Sequence, residues 1–148
     1  MASRVATGNH PRRHQERTVS YYIARTSSRA FDAVVADVIE HLKAEGFGVL
    51  TDIDVQATLK SKIGVEMTKY RILGACNPQL AHEGLKLENK LGVLLPCNVI
   101  VRETADSHVE VASVDPVNTM ERTGNPALAA TAQEVRRRLL RALSAVAA

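Results

Sequence analysis

Residues 90–116 read KLGVLLPCNVIVRETADSHVEVASVDP. Apolar residues fill both faces of an extended chain over Val93–Leu95 and again over Val99–Val101, which predicts a long strand buried on both sides. Pro96 interrupts it. Proline has no N–H for the ladder, so a bulge or a local end of pairing is expected there. Residues 104–107 turn the chain, and HVEVASVDP returns as a partner with Val109 and Val111 inward. So short a connection joins neighbours antiparallel, because a parallel pair needs a crossover of roughly a dozen residues.

Upstream, TVSYYIART alternates Val19, Tyr21 and Ile23 against Ser20, Tyr22 and Ala24, the period of a strand. A helix follows, with Ser27 or Ser28 as its cap. Phe31, Val34, Val35, Val38, Ile39 and Leu42 fall on one face of it, and Gly46 ends it as a left-handed residue. FGVLTDID is a second strand. Asp54 caps a short helix with Val55, Leu59 and Ile63 on one side, ended by Gly64. TKYRILGAC is a third strand, with Tyr70, Ile72, Gly74 and Cys76 sharing a face. In NPQLAHEGLKLEN, Asn77 caps and Pro78 opens a helix. Asn125 and Pro126 repeat that start before a last helix with Leu128, Ala132, Val135, Leu139 and Leu143 as its stripe. Helices do not alternate strictly with strands, so the class is α+β: an antiparallel curved sheet of about five strands with helices on one face.

The chain has 148 residues, 45% of them hydrophobic and 3% aromatic, with no Trp, so Val, Leu, Ile and Ala must build the core. Residues 1–17 have no apolar period and read as a disordered basic tail; residues 18–148 read as a single α+β domain. Arg4, Arg12, Arg13 and Arg17 against Glu16 place the net charge of +3 in that tail, leaving 15 cations and 15 anions for the body. A neutral body argues against nucleic-acid binding. No apolar run reaches the roughly 18 residues of a membrane span, and no apolar segment follows the basic N-terminus as in a secretory signal. Two cysteines in such a chain suggest reduced thiols and a cytoplasmic location.

Those cysteines, Cys76 and Cys97, are each followed by an asparagine, Asn77 and Asn98. Three readings are open: small hydrophobes in a core, reactive or ligand-contacting thiols, or part of a metal site. The helix start after Cys76 and the proline before Cys97 favour the second over the third, since two soft ligands leave a tetrahedral shell half empty. Asn77 is explained as a cap. Asn98 is a polar group on a face it shares with Leu94, Pro96 and Ile100, and needs a partner from the backbone or a ligand. Lys60 is a candidate anion contact beside a tyrosine or thiolate, Asp54 a cap and Asp115 a turn former. Dinucleotide, P-loop, zincin and nucleophile-elbow motifs are absent.

GFGVLTDIDVQATLKSKIG, YRILGACNPQLAHEGLKLENKLGVLLPCNVIVRE, VASVDP and GNPALA together resemble the family called domain of unknown function 302, from about Thr18 to the C-terminal helix. The resemblance implies a β-α-β4-α domain similar to the repeat of TATA-binding protein, and a homodimer; it implies no activity. The functional expectation is a small-molecule-binding module with a pocket near Cys76, Asn77, Cys97 and Asn98. The alternatives are a thiol-dependent redox or detoxifying enzyme and a structural or assembly protein. The sequence leaves any cofactor unknown.

Overall fold

The computed structural model describes residues 20–148, so the basic tail expected over residues 1–17 lies outside the described residues, as does Val19. Its elements are β1 (Tyr22–Ser27), α1 (Phe31–Ala44), β2 (Gly48–Asp54), α2 (Val55–Ile63) and β3 (Tyr70–Cys76), then α3 (Pro78–Leu87), β4 (Cys97–Glu103), β5 (Val109–Val114), α4 (Pro116–Glu121) and α5 (Ala129–Ala145). Short 3-10 turns occupy Leu91–Leu94 and Pro126–Leu128. All five strands form one antiparallel sheet in the order β1-β5-β4-β3-β2, the α+β architecture expected.

The helical period dictates which face is covered. Phe31, Val34, Val35, Val38 and Leu42 of α1 and Val135, Leu139, Ala142 and Leu143 of α5 are buried against the sheet. From the strands they meet Leu73, Ala75, Cys97, Val99, Val101, Val109 and Val111. Each large aliphatic side chain buried this way contributes about 1.5–3 kcal/mol before conformational entropy is charged. A second, smaller cluster joins Leu91, Met120, Leu128 and Ala132, and holds the 3-10 turn and α4 to the start of α5.

Four expectations are corrected. The apolar run over residues 90–103 is not one strand: Leu91–Leu94 is a 3-10 turn with only Leu91 buried, the Leu95–Pro96 peptide is cis, and β4 begins at Cys97. Nor is β4 buried on both sides. Cys97, Val99 and Val101 are buried while Asn98 is exposed, because the large helices cover one face only. The α2 stripe buries nothing, and Ile63 is 67% exposed, although Asp54 caps Ala57 N–H at 2.9 Å and Gly64 takes φ +72° as expected. Finally, α1 starts after Ala30 without a side-chain cap; Ser27 and Ser28 instead donate to the Ala148 carbonyl at 3.2 Å. Asp115 is more than a turn former: its carboxylate caps α4 at Val117 N–H and pairs with Arg136 at 3.1 Å.

Gly74 marks the closest approach on the uncovered side. A Cβ there would overlap Thr51 Oγ1 and stand 2.8 Å from Pro96 Cγ. A glycine at this position lets the segment before β4 fold over β3. Gly74→Ala is expected to lower stability by about 1–3 kcal/mol through overpacking, measured by urea unfolding. Adding Thr51→Ala should recover part of the loss, since it removes one of the two overlaps.

Candidate functional site

Alternation along each strand sends one set of side chains under the helices and the other onto the uncovered face. The cross-strand register aligns that second set in rows. Tyr70, Arg102, Glu110 and Thr26 form one row. Ile53, Ile72, Ile100, Ala112 and Ala24 form the next, about 7 Å away at two residues per step. Thr51, Gly74 and Asn98 begin a third, with Val114 and Tyr22 on β5 and β1. The face is banded: a charged row, an apolar row, and a mixed row holding one amide.

A groove of about 840 Å³ lies over the β4 and β5 members of these rows. Val93, Leu94, Leu95 and Pro96, the segment that crosses Gly74, wall one side, with Asn98 and Ile100 on the floor. This is the apolar surround assigned to Asn98 from sequence. The amide of Asn98 has no hydrogen-bond partner among the described residues, and it is exposed, so solvent satisfies it. Tyr21, Tyr22 and Tyr70 also line the groove, and they are all the tyrosines the chain has. Both phenylalanines, Phe31 and Phe47, lie in the core. Tyr21 and Tyr22 meet edge to face with ring centroids 5.0 Å apart.

Arg102 donates from Nε to Glu110 Oε1 at 2.7 Å. Its two terminal nitrogens have no partner among the described residues, and both side chains line the groove.

The Cys-Asn words are divided by the sheet. Cys76, Asn77 and Cys97 border a separate apolar void of about 20 Å³ with Phe47, Leu80 and Met120. A water needs about 10–15 Å³, so this void holds at most one. Burial pushes the Cys97 thiol up to about 11, with neighbouring Cys76 adding to the shift. A thiol so placed stays protonated at neutral pH and packs as a small hydrophobe. Asn77 caps α3, its Oδ1 accepting from Leu80 N–H at 3.2 Å. Its Nδ2 lies 2.8 Å from where a Gly46 Cβ would stand, and Gly46 has φ +88°, so glycine is required there twice over. Asn98 alone of the four faces the groove. Lys60 lines neither space; it is exposed at the end of α2, 3.5 Å from Glu66.

Asp52, Asp54 and Asp115 have structural partners. Arg71 grips Asp52 through two hydrogen bonds, at 2.7 and 2.5 Å, and these hold that carboxyl below its ordinary pKa. Asp54 and Asp115 are caps. Among the described residues no group of three or more His, Cys, Asp or Glu side chains could hold a metal ion, and no helix is long and apolar enough to cross a membrane.

Sequence reasoning centred on the cysteines passed over the groove's own residues: the three tyrosines, the Arg102–Glu110 pair and Ala112. The signal for them was present. On β4 and β5 the residues alternating with buried valines are Asn98, Ile100, Arg102, Glu110 and Ala112, and reading that second set as one face would have assembled the site.

Comparison with known proteins agrees with this architecture. The family model described as "Domain of unknown function DUF302" matches residues 23–146. The crystal structure of an uncharacterized conserved DUF302 protein from Bacillus stearothermophilus superimposes with a TM-score of 0.81 at 28% sequence identity, covering 86% of this chain and 98% of that one. No curated protein matches.

The two thiols are expected to differ in labelling. Half-buried Cys76 should alkylate first, whereas Cys97 should label slowly with a rate rising until about pH 11. Mass spectrometry of peptides after timed iodoacetamide pulses across pH separates the two. Fast labelling of Cys97 at pH 7 would contradict its enclosure.

Proposed function

We propose, for a chain that belongs to the DUF302 family of domains of unknown function, that it is a small-molecule-binding module whose site is the uncovered sheet face around Asn98. One observation carries the reading: every tyrosine of an aromatic-poor chain lines a single groove on that face. Tyr supplies a large apolar surface with a polar tip at low conformational cost, which suits it to contact surfaces that must also face water. The groove's volume falls within the roughly 300–1,000 Å³ of small-molecule sites. Its lining has their composition, an apolar floor with a few polar groups to fix orientation. The thiol-enzyme reading draws less support, because its buried thiol is held protonated beside a void too small for a substrate.

Thermal denaturation against a panel of small metabolites tests the reading. At least one compound should raise the midpoint, because a ligand that binds only the native state stabilises it by mass action. Asn98→Phe, an exposed position that would fill the groove, should abolish the shift. Cys76→Ala with Cys97→Ala should keep it. No shift with any compound, or a shift that survives Asn98→Phe and vanishes with the cysteines, refutes the site.

The same face favours a second reading, a homodimer. Val93 is 84% exposed and Tyr21 68% exposed, both at the groove's margin. Large apolar side chains clustered at an open face are the mark of an interaction surface. If a second copy covers them, sedimentation should show a dimer that Val93→Glu converts to monomer; an unchanged sedimentation coefficient in that variant excludes this surface.

A further inference from the structure

Resting on the reading of the uncovered face as a binding site, we propose that its ligand class is an amphipathic monocarboxylate. The apolar body would lie over Ile100 and Ala112 toward Val114, and the carboxylate would meet the terminal nitrogens of Arg102. The banding sets this polarity. Of the apolar row, Ile100 and Ala112 line the groove, and Val114 two residues along β5 continues the apolar floor. One step away lies the charged row, in which Arg102 and Glu110 are the only charged side chains. Arg102 commits Nε to Glu110, and its other edge is the planar two-donor fork that matches a carboxylate. Glu110 limits the charge that can enter. A single negative charge shares the guanidinium with Glu110 or replaces it there, whereas a dianionic phosphate would bring two charges against one cation and a neighbouring carboxylate. Both side chains are only partly buried, and an ion pair still open to solvent adds little to stability.

The chain carries its own reporter. It has no Trp, and its three tyrosines all line the groove, so tyrosine emission reads the site directly. Titration of the whole chain with octanoate is expected to change that emission saturably, and octan-1-ol, with the same body and no charge, should bind at least tenfold more weakly. Arg102→Gln should bring octanoate down to the level of the alcohol. Glu110→Gln, which removes the competing carboxylate, should tighten octanoate several-fold, a change opposite in sign to any that simple loss of a structural ion pair would bring. Circular dichroism of both variants establishes that they fold. Equal binding of octanoate and octan-1-ol, or octanoate binding indifferent to Arg102→Gln, overturns the carboxylate assignment while leaving the groove as the site. A change in emission with protein concentration and none with either probe means that a second copy covers the face, and overturns both.

Discussion

Val99 and Val101 on the central strand and Val111 on its neighbour β5 are wholly buried beneath α1 and α5. A sheet has two faces and these two helices supply one apolar layer, so the burial that stabilises the fold commits the valine face and leaves the other outward. Antiparallel sheets tolerate this, since one face packs while the other meets water. The site follows from that asymmetry. Whatever stands at the alternate positions of β3, β4 and β5 is displayed on a rigid floor whose spacing is fixed by the ladder, and no loop has to position it.

The same alternation explains how far the fold and site could be read from sequence. Helices α1 and α5 were legible because their apolar residues keep the 3.6 period over three turns or more. The strands were legible where valine alternates with polar residues. Leu91–Leu95 was misread because five residues, four of them aliphatic, carry no period at all, and an apolar run is then equally a strand or a compact turn. Helix α4 escaped notice for want of length: six residues give one apolar contact pair, Pro116 and Met120, and no stripe. The Asp-Pro start was visible, and it is the cap-then-proline device that Asn77-Pro78 and Asn125-Pro126 also use.

Treating each Cys-Asn pair as one site ignored a rule that sequence alone supplies. Adjacent residues on a strand point to opposite faces, so Cys97 and Asn98 could never share a pocket once both were placed on β4. Cys97 went to the helices and its neighbour to the open side. The other pair sits at a junction, where Cys76 ends β3 and Asn77 is consumed by capping α3 and packing on Gly46. The aromatic residues sorted by chemistry in the same way: the two that lack a hydroxyl went inside, and the three that carry one went to the groove.

In the proposed binding mode the charged row and the apolar row contribute differently. A carboxylate on the free edge of Arg102 gains charge-assisted hydrogen bonds that its alcohol cannot make, and Glu110 on the other edge reduces that gain without cancelling it. Discrimination between monocarboxylates then rests on the apolar floor, at about 0.8 kcal/mol for each methylene it takes from water. That floor is finite: Ile100 and Ala112 lie one interstrand spacing apart, roughly 5 Å, with Val114 about 7 Å along β5. A chain longer than the row returns to solvent and gains nothing further. Selectivity by length is therefore a property of the sheet's own spacing.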